Sequence, residues 1–164
     1  IRMRLPIRSL AEPAPVRDAV QAQFGSVDYE SAEISFTFTD YYRAEMGEGI
    51  RRVFFSIGEL YDPSRLAEAK RATDRIELDF AIEDRRQVNL DPGMLTLGRL
   101  MLASTKDNAQ RIPLRDGIYA EITLLYRRGT FVPLEWTYPD YRSPVYHRVL
   151  LEIRSRYKAQ LERG

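Results

Sequence analysis

The chain has 164 residues, 44% hydrophobic and 30% charged, with a formal net charge of +1. That length suits one domain over residues 1–164 with a buried core, and a charge so near neutral gives no bulk field to gather nucleic acid or membrane lipid. With no cysteine and one histidine, His147, disulfides, a cysteine nucleophile and multi-histidine zinc are excluded, and no zinc, haem or iron–sulfur cluster is expected.

Taken in order, RMRLPIR (2–8) reads as a short strand, placed at a sheet edge by Pro6. Val16, Ala19, Val20 and Phe24 recur at helical spacing from Pro13 to Phe24, with Gly25 as the stop. Val27–Phe38 is expected as a strand with Ile34, Phe36 and Phe38 on one face. TDYYRAEMGEG (39–49) breaks the pattern, and Arg51–Ile57 is the next strand. Asp62-Pro63-Ser64 supplies an N-cap and a proline at the first helical position. Leu66, Ala69, Thr73, Ile76 and Phe80 form the buried stripe of the helix that follows. Lys70, Thr73 and Glu77 line one side of it, read first as a surface row and second as a ligand face.

Val88-Asn89-Leu90 reads as a strand ending in an Asp91-Pro92-Gly93 turn. The order to this point, β-α-β-β-α-β, is ferredoxin-like. An antiparallel meander follows: Arg99–Ser104, Arg111–Leu114, a turn at Arg115-Asp116-Gly117, Ile118–Tyr126, and Thr130–Leu134. In Ile118–Tyr126, Ile118, Ala120, Ile122 and Leu124 alternate with Tyr119, Glu121, Thr123 and Leu125. WTYPDYRSP (136–144) is an aromatic loop. A C-terminal helix over Ser143–Leu161 has Val145, Val149, Ile153, Arg156 or Tyr157, and Leu161 on its face, with His147 as a boundary packing residue. The fold class is α+β. No run approaches the ~18 apolar residues of a membrane span, and the first residues carry no signal-peptide block, so no membrane partner and a cytoplasmic location are expected.

Four polar clusters fall at loops or strand ends, where a scaffold exposes chemistry: Asp40, Tyr41, Tyr42 and Glu45; Asn89 and Asp91; Ser104, Thr105, Lys106 and Asp107 with Arg111; and Thr137, Tyr138, Asp140 and Tyr141. With three lysines among 25 basic residues, 22 are arginine, either plain surface charge or planar forks for carboxylate and phosphate. If the clusters converge, Lys106 and Arg111 hold a phosphate and Tyr41 or Tyr138 stacks on a base. Asp91, Asp107 and Glu121 then hold Mg²⁺ or act, with Lys106, as acid–base candidates. Each cluster also reads structurally, as turn, cap or ion pair, and Glu121 inside its apolar strand needs a partner such as Lys106 or Arg111. There is no phosphate-loop motif, and Gly47-Glu48-Gly49 lacks the third glycine of a dinucleotide fingerprint. The other class is a non-catalytic protein- or RNA-interaction module. A homodimer through an exposed strand is its main version, since no RNA-binding aromatic motif appears.

FTDYYRAEMG (38–47), VNLDPGMLTLGRLMLASTKD (88–107), RIPLRDGIYAEITLLYRRGTF (111–131) and WTYPDYRS (136–143) together resemble an uncharacterised bacterial family, the domain of unknown function 4416. The resemblance runs over roughly residues 18 to 160. Members often carry the automatic label GTP-binding protein, so the resemblance implies a nucleotide ligand. The chain departs from the family at Arg2, Arg4 and Pro6, which interrupt its apolar first strand. Pro113 stands where an aromatic residue is usual, and Gln110 where histidine is, so a catalytic histidine carried to that point is absent. Thr105-Lys106-Asp107 has its acid one residue early for a GTPase guanine-recognition phrase, which argues against a Ras-like GTPase.

Overall fold

The computed structural model describes residues 6–10, 13–35, 51–83 and 85–163. Its elements are β1 (Pro6–Leu10), α1 (Pro13–Phe24), β2 (Val27–Glu30), β3 (Ile34–Ser35), β4 (Arg51–Ile57), α2 (Leu66–Asp79), β5 (Asn89–Leu95), β6 (Arg99–Ser104), β7 (Ile112–Pro113), β8 (Tyr119–Arg127), β9 (Thr130–Pro133) and α3 (Pro144–Arg163). Short 3-10 turns at Pro63–Arg65 and Pro139–Arg142 lead into α2 and α3. Among the described residues no helix is long and apolar enough to cross a membrane.

All pairing between the strands is antiparallel, in the order β2-β4-β1-β5-β6-β8-β7, with β3 also on β4 and β9 on β8. The strands form two sheets that share β5: its residues Asn89–Pro92 pair with β1, and Gly93–Leu95 pair with β6. Side chains alternate across a sheet, and the two cores follow that alternation. Val53, Phe55, Ile57 and Leu90 pack against α1 and α2. Phe54, Leu95, Leu100, Leu124 and Phe131 point the other way, onto Tyr146, Leu150, Ile153 and Tyr157 of α3. Two helices cover one face and α3 covers the other.

Local signals place α1 and α2. Gly25 ends α1 at φ +97° and its N–H donates to Gln21 O at 3.0 Å, a conformation that glycine adopts without a Cβ penalty. Asp62 accepts from Ser64 N at 2.9 Å, capping the turn that starts α2.

Several expectations are corrected by long-range pairing. β1 is interior, between β4 and β5; Pro6 is tolerated because it is the first strand residue and is aligned with β4 alone. The strand expected over Val27–Phe38 breaks at Ser31, whose Oγ accepts from Phe54 N at 3.0 Å in place of a strand carbonyl; Phe36 and Phe38 lie outside the described residues. Asp91-Pro92-Gly93 is not a turn. It is the middle of β5, and the hairpin comes later, where Thr96 N donates to Arg99 O. The alternation of β8 slips at Thr123: Leu100 pairs with Leu124 but Met101 with Ile122, so a bulge moves Leu124 onto the face of Glu121. On α3, Tyr146 and Leu150 are buried, whereas Val145 and Leu161 are exposed. His147 is half-buried, with Nε2 2.8 Å from Tyr141 O.

Candidate functional site: polar groups around the split in the sheet

The row Lys70, Thr73, Glu77 is buried rather than on the surface, because it falls on the same side of α2 as Leu66, Ala69 and Ile76. Its burial answers a need of β5. Beside Asn89–Pro92 the β6 register has ended, so among the described residues Leu90 faces an edge with no strand to pair with. Lys70 Nζ donates to Leu90 O at 3.1 Å, and Glu77 Oε1 accepts from Leu90 N at 2.6 Å. Two side chains of α2 thus do the work of a neighbouring strand and hold the two sheets apart at this point.

Around that split the charges are dense. Lys70 Nζ lies 2.8 Å from Asp74 Oδ1 and 3.8 Å from Glu77 Oε1. Asp91 Oδ2 accepts from Asn89 Nδ2 at 2.9 Å. Burial alone would depress Lys70, but Asp91, Glu77 and Asp74 outweigh it and hold the ammonium above its ordinary value. For Glu77, burial dominates and pushes the carboxyl up, only partly offset by Lys70 and by the Leu90 N–H.

A folded pKa above the unfolded value, ~4.3 for glutamate, means that stability present in acid is lost as pH rises through the folded value. Glu77→Gln, near-isosteric and unable to titrate, is therefore expected to gain on the wild type in unfolding free energy between acidic and neutral pH. Urea midpoints at both pH values read this; a gap moving in favour of glutamate would contradict it.

A second group is built around Arg111. Its Nε donates to Glu121 Oε2 at 2.9 Å, its Nη1 to Ser104 Oγ and Lys106 O, each at 2.8 Å, and its Nη2 to Tyr138 Oη at 3.1 Å. Gln110 Nε2 donates to the same Glu121 oxygen at 3.0 Å. Burial works against the Arg111 charge, but Glu121 and Tyr138 outweigh it and raise its pKa. The guanidinium fixes the loop after β6 and ties it to the aromatic loop before α3. The side chains of Thr105, Lys106 and Asp107 are exposed on that loop, and Lys106 N donates to Ser104 Oγ at 3.1 Å.

Asp140 belongs to a third group. It is buried against Arg52, which also donates to the Tyr146 hydroxyl, and its Oδ1 accepts from Tyr141 N at 2.9 Å. Thr137 is buried too, donating to Thr123 O at 2.6 Å.

The structure thus brings Ser104, the Lys106 main chain, Arg111, Glu121 and Tyr138 together, and Asn89 with Asp91 at the split. Leu90 faces the α1/α2 side, so Asn89 and Asp91 face the α3 side, as do Ser104 and Glu121 through their register with Leu102. Extending the Gly93–Leu102 register by two residues aligns Asp91 with Ser104 across the split. Asp140 stands apart, in its own ion pair. Asp40, Tyr41, Tyr42 and Glu45 lie outside the described residues. Among the described residues no three metal-ligating side chains gather, so Asp91, Asp107 and Glu121 do not form a joint cage. Arg52 and Asp74 were not singled out by sequence, and Gln110 only as a departure from the family; Arg52 carried a signal, a lone charge in the buried run of β4.

The model of a family described as a domain of unknown function, DUF4416, matches residues 7–157. The chain belongs to that family. No curated protein and no solved structure matches it. In this DUF4416 chain the phrases that span β5 to β8 supply the strands that part at the split and, with Tyr138, the Arg111 group.

Proposed function

We propose that the DUF4416 chain is a cytoplasmic protein binding a nucleotide or another phosphorylated small molecule, with Mg²⁺, on the α3 side of the split between β5 and β6. The observation that carries this reading is that Asp91 and Ser104 lie on the α3 face of the two strands, each two residues beyond the last paired residues, Gly93 and Leu102, beside the loop that Arg111 anchors. Arg111 is committed to Glu121, Ser104, Lys106 O and Tyr138, so its role here is to hold the loop. Phosphate contact falls to exposed Lys106 and to Thr105, the metal to Asp91 with Asp107, and stacking to Tyr138, which is half exposed. Glu121 serves as the fixed counter-charge of Arg111. The antiparallel order β2-β4-β1-β5, with α1 and α2 on one face, supports reading the first sheet as ferredoxin-like.

The alternative is a homodimer through an exposed strand. It has less support, because among the described residues the outer strands β2, β3, β7 and β9 run only four, two, two and four residues, and short edges resist strand addition.

Thermal unfolding against GTP, ATP, GDP and cyclic nucleotides, with and without Mg²⁺, tests the reading. A ligand at ~100 times its Kd adds roughly 2.7 kcal/mol, and a Mg²⁺-dependent rise in midpoint is expected for one of them. Lys106→Ala is expected to remove that rise without moving the midpoint of the free protein. No rise with any nucleotide would retire the nucleotide reading.

A further inference from the structure

The helices on one face stop short of its far side. α1 and α2 cover the first sheet and reach only as far as Met101, Ala103, Ile118 and Ala120 on the second. Past that margin the face goes on. Ile122 is aligned with Met101, Leu125 with Arg99, Val132 with Leu125, and Ile112 with Ala120. Ile122 and Leu125 are half-buried and belong to neither core. Ile112 is 63% exposed and Val132 37%. Trp136, 40% exposed, is fixed beside them by its indole N–H, which donates to Ile122 O at 2.8 Å. Contiguous apolar surface of this kind marks an interaction site more often than isolated exposed side chains do.

Two arginines border the sheet side of the patch. Arg99 lies opposite Leu125, and Arg127 two residues beyond Leu125 on the same face. Both are exposed, and neither has an ion-pair partner among the described residues. A second copy placed on this face would set arginine against arginine. Strand addition is also disfavoured: along the outer edge of β8, between β7 and β9, Ile122 O and Thr123 O are already taken by Trp136 and Thr137. The rest of the same face is covered by helices. We infer that this face docks an amphipathic helix of a partner protein, with an apolar stripe for Ile112, Ile122, Leu125, Val132 and Trp136 and acidic flanks for Arg99 and Arg127.

Trp136 is the sole tryptophan, so its emission reports occupancy of the patch. The probe is a synthetic amphipathic peptide of about 18 residues, long enough to hold a helix, with a leucine stripe and glutamate flanks. The control keeps the stripe and carries lysine flanks. A saturable blue shift at micromolar glutamate peptide is expected, with the lysine peptide at least about tenfold weaker. Val132→Glu abolishes the shift, and Arg99→Glu with Arg127→Glu reverses the preference between peptides. The second variant alters only exposed side chains, so it decides the matter even if the first fails to fold. No shift with either peptide, equal shifts with both, or a concentration-dependent shift of the protein alone would each overturn the inference, the last by making a second copy the occupant.

Discussion

Replacing Asp140 by alanine is expected to destabilise the fold by about 3–5 kcal/mol, read from urea unfolding, as for other ion pairs broken on one side in an interior. Arg52, 2% exposed, would keep its charge in the core between β4 and α3 without the Asp140 carboxylate. The surroundings cannot relax cheaply. Phe54, Tyr141 and Tyr146 meet edge to face around the pair, with centroids 4.9 to 6.4 Å apart. The Tyr146 hydroxyl would still accept from Arg52, but it is neutral and does not replace the carboxylate. Exchanging both partners, Arg52→Met with Asp140→Leu, is expected to cost less than Asp140→Ala, since both charges of the buried pair are then removed together. A loss within about 0.5 kcal/mol for Asp140→Ala, the range of ordinary surface substitutions, would mean that the carboxylate is not structural and would return it to the ligand candidates.

The second large effect is at Gly93. A Cβ there would stand 2.7 Å from Met101 O and 2.9 Å from a methyl of Leu102, and the nearer atom is backbone of the paired strand. Gly93→Ala therefore forces β5 and β6 apart where their pairing begins, at a cost of about 1–3 kcal/mol for overpacking. The separation propagates towards Leu90, whose main-chain groups depend on Lys70 and Glu77 reaching them. Faster amide exchange at Leu90, with a lower urea midpoint, is the expected result. An unchanged midpoint would show that the strands can part there at no cost.

What the sequence disclosed and what it hid divide along one physical line. α1, α2 and the hairpins at Asp116-Gly117 and Arg128-Gly129 are governed by neighbours a few residues apart. Helical spacing, a cap and residues at positive φ were enough to place them. β5 was cut short because Asp-Pro-Gly is a turn formula locally. Only pairing with β1 and then β6 makes it a strand: Pro92, with no N–H to give, sits where the partners change, and Gly93 permits the close approach. The bulge at Thr123 is hidden for the same reason, since Ile122 and Leu124 read as one apolar face until the register with β6 is known.

The candidate site follows that line too. Ser104 and Arg111 were legible as one cluster, and Arg111 as one of two partners for Glu121, because a charge inside an apolar strand requires a partner; Tyr138 read as part of a separate loop cluster. Asp140 was drawn to the same pocket by its loop; its partner, Arg52, lies 88 residues earlier and nothing local announces it. Lys70 and Glu77 read as surface residues by type, yet their positions on the helix put them beside Leu66 and Ile76. Their role depends on an unpaired strand edge that only the fold creates.

The most direct test of the central claim is to follow backbone amide shifts of the labelled protein as Mg²⁺ and GTP are added. Binding on the α3 side of the split predicts the largest changes at Asn89, Asp91, Ser104, Thr105 and Lys106, with smaller ones at Tyr138. Changes confined to other elements, or none at millimolar nucleotide, would contradict it and leave these polar groups a purely structural role.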